Sequence, residues 1–315
     1  MLAVTNPGEP AGDRRVIVIG SGPAGTAAAL ALTDAGMPTL MLESGLHIPS
    51  DVLIRLAGRN VFRRRQRRHV GEVAHVGEPG VKWHTALEPG GLSNQWTGAI
   101  PRFSPEDFYD GARLHERYRW PLTYDELAPY YDRMEELLRV VGPATRVLQL
   151  PAQRISHGTR LPPDWARVSA AAEGFGQGLS RIPLAGGSPW AILPTATAYG
   201  SLQTPRRLLG RKTFALRLGA HALTLTWQAR RRCITGVVYH DRQTGETHSV
   251  EASAVVLAAG PIATPKLLFD SACPDFPKGW ATPTVYLAGI CTITCMTCSS
   301  LMWTGRSPAW AIPPT

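Results

Sequence analysis

The sequence is short of lysine, of cysteine and of any long apolar run. Only four of its 33 basic residues are lysines (Lys82, Lys212, Lys266 and Lys278), and the other 29 are arginines. A formal net charge of +9 would ordinarily point to a phosphate-rich partner. Here the skew to arginine runs with 31 glycines, 27 prolines and abundant alanine, which reads as GC-rich coding rather than selection for phosphate. The densest basic run, Arg63 to Arg68, places five arginines in six positions with no aromatic residue between them for base stacking. It reads as a solvated loop, and no nucleic-acid partner is expected. Five cysteines, an odd number, supply no disulfide framework. The first fifteen residues are polar and lack the apolar core of a secretory signal, so a cytoplasmic location without membrane attachment is expected. What remains is 315 residues, 44% hydrophobic and 18% charged, enough for one large domain or two smaller ones with a sizeable core.

Composition breaks near residue 280. Residues 280–315 contain no acid, no histidine, no lysine and a single arginine, Arg306, yet hold Cys291, Cys295 and Cys298. Their C-x3-C-x2-C spacing is one that holds a cluster in radical-SAM enzymes. Those enzymes place a barrel after the motif, whereas 17 residues remain here, so no metal site is expected. A membrane anchor is a poor match, because six threonines, two serines and a proline interrupt what would need about 20 mostly apolar residues. A shift of reading frame accounts for the tail better. Degenerate back-translation from Trp280 forces a stop one nucleotide out of register, at Met296–Thr297. Two nucleotides out, the frame stays open and permits G-x-x-D-G-[LIV]-L-G-R-[YN]-L-H-D-H-[LMV]-H-D. Residues 280–315 are therefore expected to be an out-of-frame or disordered tail.

The N-terminal region carries the clearest chemistry. Val16 to Ile19 is a continuous β-branched run, as a parallel strand buried on both faces requires. Gly20-Ser21-Gly22-Pro23-Ala24-Gly25 comes next and fits G-x-G-x-x-G. An alanine- and leucine-rich helix from Thr26 to Ala35 stops at Gly36, and a second apolar strand from Thr39 to Leu42 ends at Glu43. In this pattern the first glycine allows the tight turn, the second lets backbone approach a pyrophosphate, and the third lets helix and strand pack closely. The pyrophosphate sits at the helix N-terminus, where unpaired N–H groups and the dipole favour negative charge. Glu43 is placed to accept ribose hydroxyls. Strand, helix and acid together make this a dinucleotide site. By themselves they do not separate FAD from NAD.

Farther along, Leu223 to Leu225 and Ile234 to His240 alternate as strands, with Arg242 to Glu246 as a hairpin loop. Ala254 to Gly260 reads as another buried strand whose small end residues, Ala259 and Gly260, let it approach the same cofactor. Thr123 and Glu126 form a capping box opening a helix on which Met134, Leu137, Leu138 and Val141 recur at helical spacing.

The stretch Gly260-Pro-Ile-Ala-Thr-Pro-Lys-Leu-Leu-Phe-Asp-Ser271 resembles the second signature of the glucose–methanol–choline (GMC) flavin oxidoreductases. Trp120 to Leu127, running on to Tyr130-Tyr131-Asp132, resembles the opening of their substrate-domain region. Gly90 to Gly98, with Pro101-Arg102-Phe103 just beyond, resembles the flavin-contacting loop of the pyranose-oxidase branch. In that branch a histidine directly before the tryptophan can carry a covalent flavin. Gln95 stands at that position, so the resemblance implies noncovalent FAD, with His84 read as ordinary.

The resemblance implies an α/β fold: an FAD-binding Rossmann-like three-layer domain joined to an incomplete α+β substrate domain. Residues 12–104 would form the first part of the FAD domain, 105–212 a partial substrate domain, and 213–275 the returning strands. The expected cofactor contacts begin at Gly20, Gly22, Pro23, Ala24 and Gly25, with Glu43 and Ser44 at the second strand's end. Gly90, Gly91, Ser93 and Asn94 would meet the flavin, while Ala222, Ala259 and Gly260 come from the return strands. The implied reaction oxidises a CH–OH group of a sugar or other alcohol by hydride transfer to flavin N5, with the electron acceptor left open. The family's base is a histidine near the C-terminus of a longer chain. The permitted out-of-frame segment resembles the part of the family's sequence just beyond its second signature. None of the nine histidines here sits in a matching motif, so the chain is expected to lack that base and no catalytic residue is assigned. Two other readings stay open. One is a noncatalytic flavin- or nucleotide-binding remnant; the other is an FAD-linked hydroxylase using NAD(P)H, against which Gly260–Ser271 argues.

Overall fold

The computed structural model describes residues 15–46, 86–94, 98–143, 151–155, 157–176, 180–185 and 208–280. Arg63–Arg68, His84, Gln95 and the tail beyond Trp280 lie outside the described residues.

Strand β1 (Val16–Ile19) is buried throughout, and helix α1 (Pro23–Asp34) returns the chain to β2 (Thr39–Glu43) alongside it. Both strands sit where the β-branched and leucine-rich runs place them. The helix ends as expected, with Gly36 at φ +74° beyond the last turn. Residues Gly25, Thr26, Ala29 and Thr33 make up the buried face of α1, so small side chains bring it close to the sheet.

Two far strands complete that sheet. Strands β6 (Phe214–Leu218) and β10 (Ala254–Leu257) give the order β10-β1-β2-β6, parallel throughout. Between them, β7 (Ala220–Gln228), β8 (Cys233–Asp241) and β9 (Thr247–Glu251) form an antiparallel meander. The expected hairpin loop at 242–246 joins β8 to β9. One sheet face buries Val18, Met41, Phe214 and Leu216 against Ala29 and Leu208. The other packs Ile17, Ile19, Leu40 and Leu42 against Leu225, Val237, Tyr239 and Val250 of the meander. Helix, parallel sheet and meander thus form three layers, and burial of each large aliphatic side chain contributes about 1.5–3 kcal/mol. The final helix, α5 (Gly260–Asp270), joins the meander side through Leu267.

Strand β10 differs from its expected fully buried state. Ala254 is exposed and Val255 to Leu257 are half-buried, because among the described residues β10 pairs only with β1. Trp280, taken by composition as the first tail residue, is anchored. Its backbone N–H donates to Leu268 O and its indole to Ser271 O, and its ring stacks on Phe276 at 4.1 Å.

The middle of the chain holds α2 (Asp107–Asp110), α3 (Tyr124–Leu138) and α4 (Pro163–Glu173) with a small sheet. That sheet comprises β3 (Val140–Pro143), β4 (His157–Thr159) and β5 (Leu184–Ala185). The capping box forms as expected: Thr123 Oγ1 accepts from Glu126 N, and Glu126 Oε2 accepts from Thr123 N at 2.7 Å. Val141, expected on the helix, instead lies in β3. Arg139 takes a left-handed conformation at φ 50° and ends α3 before it.

Candidate functional site

The turn after β1 is shaped by its glycines, and for different reasons. Gly20 has φ +98°, and a Cβ there would lie 2.5 Å from Ala258 O at the end of β10. On Gly25 a Cβ would overlap the carbonyl oxygen of Gly20 and crowd Ala258 Cβ at 3.2 Å. Protein packing alone demands both. Gly22 has φ −63° and ψ 178°, open to any residue, and the nearest atom to a Cβ there is Gly90 O at 3.9 Å. No described neighbour requires glycine at 22, whereas a group drawn up against the backbone would.

Gly22 is also the N-cap of α1. No side chain caps this end, no acid lies in the first turn, and Pro23 brings no N–H. The amides of Ala24 and Gly25 therefore open the helix at its positive end without a competing side-chain acceptor. This cradle fits a diphosphate.

Glu43 closes the site from β2. It is buried, 6% exposed, with three donors on its carboxylate. Oε2 accepts from Ser21 N at 3.0 Å and Ser21 Oγ at 2.5 Å, and Oε1 accepts from Gly45 N at 2.7 Å. A carboxylate offers about four acceptor positions, so one on Oε1 remains for a ribose hydroxyl. Burial pushes its pKa up; the Ser21 and Gly45 donors oppose that shift, and nearby Glu88 adds to it.

The loop 88–94 lies against this turn. Gly90 N donates to Ser21 Oγ at 2.8 Å, and a Cβ on Gly45 would fall 2.5 Å from Glu88 Cα. Gly91 to Asn94 form a single 3-10 turn. Ser93 is buried and gives its hydroxyl proton to Gly90 O at 2.8 Å, so it stiffens the loop and presents lone pairs rather than a donor. The side chain of Asn94 lies outside the described residues.

Ser44, one residue past Glu43, meets the meander. Its hydroxyl lies 3.0 Å from His221 Nδ1, and its carbonyl accepts from Arg242 at 2.9 Å. Ala222, next to His221, packs on the core cluster beside a β-bulge, at the border of the site. Ala259 caps α5, which begins at Gly260, and Ala259 Cα lies 3.0 Å from where a Gly20 Cβ would be. The site thus gathers the turn at 20–25, the end of β2, the loop 88–94 and the end of β10. Sequence reasoning missed Ser21, Gly45 and His221. For Ser21 the signal was present: a hydroxyl inside the glycine turn, with an acid at the end of the adjoining strand.

Arg102, part of the flavin-loop resemblance, has another task. It is 7% exposed and forks onto Glu135 of α3, Nε to Oε1 at 2.7 Å and Nη2 to Oε2 at 2.5 Å. It also donates to Asp132 at 2.6 Å and Tyr124 Oη at 3.2 Å. Glu135 accepts further from Arg154 N and Gln153. These partners keep Arg102 firmly protonated and hold the Asp132 carboxyl below the usual range. This network ties the segment after the flavin-loop resemblance to α3.

Among the described residues no cluster of histidine, cysteine or carboxylate side chains could hold a metal, and no helix is long and apolar enough to cross a membrane.

A family model described as an FAD binding domain matches residues 15–68. The chain is 32% identical over 285 residues to 6'''-hydroxyparomomycin C oxidase of Streptomyces lividus, covering 84% of this chain and 51% of that protein. It is 30% identical over 145 residues to a GMC-type oxidoreductase of Sinorhizobium fredii, covering 44% of this chain and 28% of the relative. Among solved structures, pyridoxine 4-oxidase from Mesorbium loti matches with a TM-score of 0.55 at 20% identity, over 82% of this chain and 52% of that one. The chain spans about half the length of the oxidase relative it matches. With the glycine turn, the buried acid of β2 and the three-layer fold in place, the chain belongs to the GMC family of FAD-dependent oxidoreductases.

Proposed function

We propose that this chain binds FAD noncovalently and serves the oxidation of a CH–OH group on a sugar or other small alcohol, in the cytoplasm. The observation that carries the reading is Gly22, a glycine that protein packing does not require, standing at an uncapped helix start. In this reading the amides of Gly22, Ala24 and Gly25 hold the diphosphate, and Pro23 presets the first turn. Glu43 takes a ribose hydroxyl on its remaining acceptor position, with Ser44 and Ala222 flanking the adenosine. Gly90, Gly91, Ser93 and Asn94 face the flavin ring, and Ala259 and Gly260 close the site beneath it. Gln95, in place of a histidine nucleophile, supports noncovalent attachment. Bound FAD supplies a two-electron acceptor for a carbinol hydride, and the protein supplies binding and orientation. No described residue is assigned as the base. The sugar class rests on the relative named for 6'''-hydroxyparomomycin C.

The test is a titration of the purified full chain with FAD, then acid precipitation and anaerobic exposure to a panel of sugars and alcohols. Expected are tight binding and a yellow supernatant after acid, with at most slow bleaching of the flavin by a panel member, since no base is assigned in this chain. Bleaching by NADPH alone would move the chain to the hydroxylases. A flavin spectrum that nothing bleaches would leave a nucleotide-binding module, and failure to bind FAD would overturn the assignment.

A further inference from the structure

Ser21 occupies a variable position of the glycine pattern, yet more of the site converges on it than on any glycine. It is 1% exposed, and its side chain sits between two loops that sequence alone does not connect. A hydroxyl has one proton and two lone pairs. The proton goes to Glu43 Oε2 at 2.5 Å, which orients the oxygen so that a lone pair takes Gly90 N–H at 2.8 Å. The Ser21 backbone N–H reaches the same Glu43 oxygen at 3.0 Å, and the other Glu43 oxygen holds Gly45 N at 2.7 Å. Gly45 in turn packs directly on Glu88 and Pro89, the residues before Gly90. A closed circuit results, running Gly90, Ser21, Glu43, Gly45 and Pro89 back to Gly90.

We propose that Ser21 is a positioning residue: its hydroxyl locks the loop at 88–91 onto the nucleotide-binding turn, so that the parts holding the diphosphate and facing the flavin ring keep one fixed separation. The inference rests on the FAD reading above for its consequence, though not for its geometry. A carboxylate-polarised hydroxyl is a stronger and better aimed acceptor than a free one. No other described group accepts from Gly90 N. Without the hydroxyl, that buried amide loses its acceptor, while the loop keeps its packing at Gly45.

The test uses the full chain as wild type, Ser21→Ala and Ser21→Cys. Alanine removes the hydroxyl without adding volume. Cysteine fills the space with only a weak donor and acceptor, and carries the same expectation should the alanine variant fail to fold. Amide exchange at Gly90 is measured without FAD, and FAD affinity by flavin fluorescence. Expected are exchange at Gly90 at least about tenfold faster with the core amides of β1 unchanged, and FAD binding about tenfold weaker, equivalent to one ordinary hydrogen bond lost. The visible band of bound flavin should move toward that of free FAD. Gly90 protection and FAD affinity both at wild-type levels in the variants would overturn the proposal. If wild type binds no FAD, the functional reading fails, while Gly90 exchange still decides whether Ser21 holds the loop.

Discussion

The three glycines of the turn allow the cofactor reading to be separated from simple packing. Gly25→Ala drives a methyl group into the carbonyl oxygen of Gly20, and relief requires moving α1 or β1. Overpacking of this kind costs about 1–3 kcal/mol, or more where backbone must shift. Gly22→Ala meets nothing nearer than Gly90 O at 3.9 Å, at a φ of −63° that alanine adopts freely. Loss of glycine entropy from the unfolded chain favours the variant by about 0.4–1 kcal/mol, and the poorer N-cap that alanine makes offsets it, so the stability of the free protein should change little. The same methyl, however, holds a diphosphate back from the amides of Ala24 and Gly25. Losing one charge-assisted hydrogen bond, about 1.5–3 kcal/mol, weakens FAD binding by about 10- to 100-fold. Urea unfolding without FAD and FAD titration by fluorescence, run on both variants, read the two effects separately. The reasoning fails if Gly22→Ala binds FAD like wild type, or if it destabilises the free protein as much as Gly25→Ala does.

Other consequences concern the two buried carboxylates. Arg102→Met leaves Glu135, 3% exposed, without its cation, and should cost about 3–5 kcal/mol in urea unfolding. Arg102→Lys should recover only part of this, because an ammonium cannot fork onto the carboxylate; a loss below about 1 kcal/mol in the methionine variant would contradict the network. Glu43 has a raised pKa, so between its ordinary value of 4.5 and its value in the folded chain the native state keeps a proton that the unfolded state has released. Stability should therefore fall as pH climbs through that window, and Glu43→Gln should flatten the decline. Asp132, whose pKa Arg102 lowers, has the opposite sign. Its contribution is present above the usual carboxylate value and is lost as pH drops through the lowered one, an acid limb that Arg102→Met should weaken, with Arg154 retaining the remainder.

What could be read from the sequence was local. The β-branched run of β1, the glycine turn, the stop at Gly36 and the Thr123–Glu126 box each lie within a few residues of the structure they specify. What could not be read depends on partners far apart in the chain. Arg102 meets Glu135 33 residues later, and Ser21 meets Gly90 69 residues later, and no periodicity announces either. Val141 fitted a helical spacing because spacing says nothing of Arg139, whose left-handed backbone ends α3 and starts a strand. Strand β10 read as buried from its apolar side chains, but burial also depends on how many strands flank it, and among the described residues there is one.

The placement of β1 between β2 and β10 has a consequence for biosynthesis. One neighbour emerges from the ribosome almost at once, while the other belongs to a segment whose Ser253 bonds Arg15 across 238 residues. At about 5–20 residues per second, the interval between them is on the order of 10–50 s. For that time a short, wholly apolar strand has one side open on the nascent polypeptide, an edge exposed to wrong pairing until the late strand arrives.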